Sequence, residues 1–187
     1  MSEIDNYKSK IELIKNNYSQ LNTEIEIKDL FKGIIIMFIK DVIRLYNKLI
    51  KKLPELKFSK SSEKISNLNT LLTSLETDGK LFNLDLNDII LRAYINYFYM
   101  KYRDDMMDWN IDKIKLLNEE SIKCAVINSA KSEDMVETAS EYLNIIPEIV
   151  LMINNLKESD ILKMLYLLNN LNTIIDVYLL KKSQNIF

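Results

Sequence analysis

The chain has 187 residues with 25 basic and 27 acidic side chains, a formal net charge of −2. That length suits one domain able to bury about 70% of the surface its unfolded form exposes. Two glycines and two prolines remove the punctuation that hairpins, sandwiches and barrels need, and the lack of histidine excludes Ser-His-Asp and Cys-His catalysis and imidazole metal sites.

A single cysteine, Cys124, excludes an intrachain disulfide and thiolate zinc clusters. Residues 1–100 carry 15 basic and 13 acidic side chains and residues 101–187 carry 10 and 14, so the halves are +2 and −4. This is too mild for a surface that neutralises phosphates, and no nucleic-acid partner is expected. The 27 Ile, 22 Lys and 20 Asn against 3 Arg fit coding from an AT-rich genome, of the kind large DNA viruses, some parasites and some low-GC bacteria carry. The N-terminus MSEIDNYKSK lacks the basic start and apolar core of a signal peptide. The longest uncharged run, Met164 to Ile175, has 12 residues and three asparagines, where a membrane span needs about 20 apolar ones. A cytoplasmic protein is expected, or one packaged into a virion from the cytosol.

Residues 2–22 place Ile4, Tyr7, Ile11, Ile14, Tyr18 and Leu21 at alternating steps of three and four, a heptad stripe sustained for three repeats. These six are the interface candidates of the sequence. The helix packs either on its own bundle or, as a coiled coil, on a partner. With Ile4, Ile11 and Tyr18 at position a, a parallel homodimer would gain Glu3 to Lys8 but set Lys10 against Lys15, which favours the bundle.

Thr23 and Glu26 have the form of a capping box opening a long helix, about 24–53, which Pro54 stops. Its apolar positions Leu30, Phe31, Ile34, Phe38, Val42, Leu45 and Leu49 keep helical steps, and Ile36, Met37, Ile39, Ile43, Tyr46 and Ile50 widen the stripe. A stripe that wide predicts the central helix of the fold. The next segment, PELKFSKSS, reads as an exposed loop. Residues 40–64 hold eight basic and three acidic side chains, a solvated helix end or a patch for phosphate or an acidic partner.

A third helix, from Ser62 to about Asp78, is expected to bury Ile65, Leu68, Leu72 and Leu75 and to end at Gly79. Asp85 to Asp88 open a fourth that runs on through Trp109 and carries Tyr94, Tyr97, Phe98, Tyr99 and Tyr102, flanked by Arg92 and Arg103. The aromatics wrap around the helix, which suits core packing better than a base-stacking platform. Four more helices are expected at about 111–130, 132–144, 147–157 and 159–182, with Ser132 and Ser159 as N-caps, Pro147 in a first turn and Cys124 a small core residue. The last is apolar on two sides, which calls for a second buried helix or a subunit contact.

The one motif with chemistry to test is Asp104-Asp105-Met106-Met107-Asp108. On a continuous helix Asp104 and Asp108 share a face, so the carboxylates could hold Mg²⁺ and a diphosphate through it. The spacing resembles the DDxxD motif of all-α isoprenoid synthases over these five residues, without a second DDxxD. Glu26 to Asp29 matches half the paired signature of all-α nucleotide pyrophosphohydrolases, and no E-x-x-E accompanies it.

The expected fold is all-α, a bundle of seven or eight helices in one domain around the helix at about 24–53. The expected function is a non-enzymatic interaction or assembly protein, a viral accessory or virion component, with itself or another protein as partner, and with no cofactor or metal. The alternatives are a helical regulator that takes a partner helix in a groove, as apoptosis inhibitors of the Bcl-2 type do, and a Mg²⁺-dependent enzyme using Asp104, Asp105 and Asp108.

Overall fold

Two capping boxes fix the first third of the chain. The Ser2 side chain accepts from the Asp5 amide at 3.1 Å and opens α1, Glu3–Ser19. The Thr23 hydroxyl accepts from the Glu26 amide at 3.3 Å while the Glu26 carboxylate accepts from the Thr23 amide at 3.3 Å, opening α2, Glu24–Lys52. These bonds satisfy amides that the first helical turn leaves without partners. The computed structural model describes residues 2–77, 99–115, 120, 123–124, 143 and 146–186.

Pro54 ends α2 as expected, but the segment after it is ordered as a 3₁₀ turn, Pro54–Phe58. Leu56 is 2% exposed and Phe58 is 93% exposed. The turn is held by the Tyr46 hydroxyl and the Ser59 hydroxyl, which donate to the Leu56 carbonyl at 2.8 and 2.6 Å. Helix α3, Lys60–Thr77, follows, and of its expected core positions Leu75 is buried while Ile65, Leu68 and Leu72 are half-buried. The later helices are α4, Met100–Met107; α5, Ile111–Lys115; α6, Ile146–Asn154; and α7, Glu158–Ser183. Among the described residues there are seven α-helices and no strand. No helix among them is long and apolar enough to cross a membrane. The expected Gly79 stop, the Asp85–Asp88 start, most of the helix at 111–130 and the helix at 132–144 lie outside the described residues.

Helix α7 buries fifteen of its 26 residues and α2 eight of its 29, so α7 is the more enclosed of the two. Partner pairs give the directions. Tyr7 meets Tyr166 and Tyr18 meets Asn170, rising together, so α1 and α7 run parallel. Asp41 meets Lys163 while Glu24 meets Tyr178, and Tyr99 meets Asp176 while Met106 meets Asn169, so α2 and α4 run antiparallel to α7. Three helices therefore cover α7, which explains why its apolar residues extend around more than one side. Its first turn has Lys157 at the N-cap without a side-chain bond, and Ser159 lies inside the helix instead of capping it.

Two apolar clusters lie along α7. One joins Tyr18, Ile27, Phe31 and Ile34 to Ile174, Ile175 and Tyr178; the other joins Ile11, Met106 and Trp109 to Ile161, Leu162 and Leu165.

Candidate functional site

Helices α2, α4, α5, α6 and α7 leave between them a partly open cleft of about 380 Å³. Helix α7 contributes Ile161, Met164, Leu165 and Leu168 to one wall. Ile149, Ile153 and Leu156, from α6 and the turn after it, face them, and Phe38 of α2 and Tyr102 and Met106 of α4 complete the apolar lining. Its two charged lining residues are Asp105 and Lys113. They are spent on each other, because the Lys113 ammonium donates to both Asp105 oxygens at 3.1 and 3.0 Å.

The local fold explains where the acidic motif goes. Helix α4 stops at Met107, with Asp108 as C-cap, instead of running on through Trp109. Trp109 takes φ 59° in the left-handed region, and its amide donates to Met106 O at 3.0 Å while the Asn110 amide donates to Asp105 O at 2.9 Å. This is a Schellman closure with tryptophan where glycine is usual. Burial of the indole accounts for the exception: its ring stacks on Tyr7 at 5.7 Å with 6° between planes, and Tyr7 stacks on Tyr166 at 5.0 Å. Asp104 points to solvent beside Arg103, Asp105 turns to Lys113, and Asp108 sits in the turn. Asp108 keeps the i, i+4 place over Asp104, its amide donating to Asp104 O at 2.9 Å, while Asp105 is turned away to Lys113. Among the described residues no group of three or more His, Cys, Asp or Glu is placed to hold a metal ion.

All six stripe residues, five on α1 and Leu21 just after it, face the chain's own core. Ile4, Tyr7, Ile11 and Ile14 pack around Trp109 and Leu165, and Ile14, Tyr18 and Leu21 around Ile174 and Ile175. Of the aromatic run, Tyr99 is buried and Tyr102 half-buried, while Tyr94, Tyr97, Phe98 and Arg92 lie outside the described residues. Cys124 is exposed, a correction to its expected place in the core: apolar residues at even spacing in the sequence do not fix a helical face, since a helix repeats every 3.6 residues.

Polar groups that sequence reasoning passed over join the helices around the cleft. Asp41 and Asp160, 4% and 7% exposed, sit between α2 and α7. Arg44 donates to Asp41 at 2.9 Å and reaches Asp160 at 3.4 Å; Lys48 meets Asp160 at 2.6 Å and Lys163 meets Asp41 at 3.2 Å. Burial alone would raise the Asp160 carboxyl, but Lys48 and Arg44 outweigh it and hold it below its ordinary value. On the other side of α7, Asp176 accepts from Arg103 at 2.7 and 3.1 Å and from the Tyr99 hydroxyl. The Asn169 amide donates to Met106 O at 2.8 Å and ties the end of α4 to α7. The i, i+3 spacing of Asp41 and Arg44 was a readable sign of the first network.

No known protein family, curated protein or solved structure matches the chain.

Proposed function

We propose that this protein is a non-enzymatic helical interaction protein whose working surface is the cleft between α2, α4, α6 and α7. The cleft wall carries the proposal. Ten of its twelve lining residues are aliphatic, aromatic or methionine, and the other two neutralise each other. Small-molecule sites add several convergent polar groups to fix orientation, whereas a groove for an amphipathic helix needs only apolar depth along a few turns. Met106 and Met164 add side chains that adapt to a partner's shape. Within this class, a groove-type regulator like those of the Bcl-2 type is the narrower case, and a second copy of the chain is the partner if the protein builds an assembly. An accessory or virion role in a large DNA virus fits the AT-rich composition.

The test is a selection of amphipathic helical peptides against the intact chain, read by displacement of a naphthalene-sulfonate dye and by emission of Trp109, together with the mass in solution from micromolar concentration upward. Met164→Trp, which fills the cleft, and Ile153→Lys, which charges it, are compared after circular dichroism shows both folded. Binding or self-association that both variants abolish supports the proposal. A chain that stays monomeric and takes no helix, or binding that neither variant disturbs, removes it.

A further inference from the structure

The 3₁₀ turn after α2 presents a phenyl ring to solvent from a fixed base. Phe58 is 93% exposed, two residues from the 2% exposed Leu56 that anchors the turn. The base is held by four hydrogen bonds from three side chains. Tyr46 and Ser59 donate to the Leu56 carbonyl, and Glu148 of α6 accepts from the Lys60 amide at 3.2 Å and the Ser61 amide at 2.7 Å. An apolar ring held this way projects because its neighbours are pinned. The sequence on either side of it is mainly basic: Lys51, Lys52, Lys57 and Lys60 are exposed, against one acidic side chain, Glu55, between positions 51 and 60.

We propose that this turn docks the protein onto an anionic lipid surface, with Phe58 entering the headgroup layer and Lys51, Lys52, Lys57 and Lys60 meeting the lipid charges. Charge complementarity selects an anionic partner. The residue types select lipid over protein: lysine is depleted at protein interfaces, whose energetic centres favour tryptophan, tyrosine and arginine seated in pockets, whereas a bare apolar side chain among lysines is the composition of interfacial membrane anchors. This surface lies on α2, the turn and the start of α3, so its test is independent of the cleft.

The experiment is co-sedimentation of the full chain with phosphatidylcholine vesicles, alone or containing phosphatidylserine. Binding is expected only with the anionic vesicles and should fade in high salt. Lys57→Gln should weaken it about fivefold and Phe58→Ala about tenfold, both at unchanged helix content, since neither side chain is part of the core. Equal sedimentation with and without phosphatidylserine, or full binding by Phe58→Ala, would overturn the proposal. So would retention on heparin without vesicle binding, which would assign the lysines to a soluble polyanion.

Discussion

The Tyr18 hydroxyl donates to the side-chain oxygen of Asn170 at 2.7 Å, joining positions 152 residues apart inside the core. A little further along, the Lys181 ammonium donates to the Leu21 carbonyl. The apolar stripe of α1 would tolerate sliding along α7, whereas a buried hydroxyl finds its acceptor in one register only. Tyr18→Phe should therefore cost about 1–3 kcal/mol, because it leaves the Asn170 oxygen buried without a donor. Urea unfolding measures it, and the double change with Asn170→Leu should return most of the loss.

Burial pushes Tyr18 and Tyr99 up to about 12, with Asp176 adding to the shift at Tyr99. A raised folded-state value means the stability is fully present below the ordinary tyrosine value near 10 and is lost as pH rises from there toward 12. The loss is roughly 2 kcal/mol per residue at the end of that window. Near-ultraviolet titration should show late-ionising tyrosines, and Tyr18→Phe and Tyr99→Phe should each remove one.

The acid side runs the other way. Asp160 is held below its ordinary value, so its contribution is present above about pH 4 and lost as pH falls through the folded value. Arg44 and Lys48 are 42% and 44% exposed, which discounts the pair. Asp160→Asn should cost about 1–2 kcal/mol at neutral pH and flatten the acid limb of stability against pH.

Gly33 lies in the middle of α2, and a Cβ there would meet nothing within 4 Å. Gly33→Ala should raise stability by about 0.5–1 kcal/mol, since it restrains the unfolded chain and disturbs no neighbour. A lower midpoint in thermal or urea unfolding would contradict this.

With Asp105 paired to Lys113 and Asp104 beside Arg103, magnesium with an isoprenoid diphosphate should give no binding heat. Heat that disappears in Asp104→Asn would return the enzyme reading.

The all-α class, the Thr23–Glu26 box, the Pro54 stop and the ends of α2 were legible because each rests on local chemistry: periodicity, caps and a missing amide. The end of α4 was not, since a tryptophan in the left-handed region has no local signal and is held by Tyr7, far away in the chain. In the uncharged run Met164–Ile175 the polar Asn169, Asn170 and Thr173 are buried, with the Asn169 amide donating to Met106 O, the Tyr18 hydroxyl donating to Asn170, and Thr173 donating to a carbonyl of its own helix. The cleft was invisible for the same reason, being assembled from five helices of which none is concave.

The parallel pairing of α1 with α7 also sets a clock on synthesis. At about 5–20 residues per second, the roughly 150 residues between Tyr18 and Asn170 take on the order of 10–30 s to leave the ribosome. Throughout that interval the stripe from Ile4 to Leu21 has been made and α7, its partner along both apolar clusters, has not. A nascent chain in this state shows any chaperone or earlier-made copy a sticky heptad face that the finished protein conceals, so expression at high ribosome density is the condition under which misassembly should first appear.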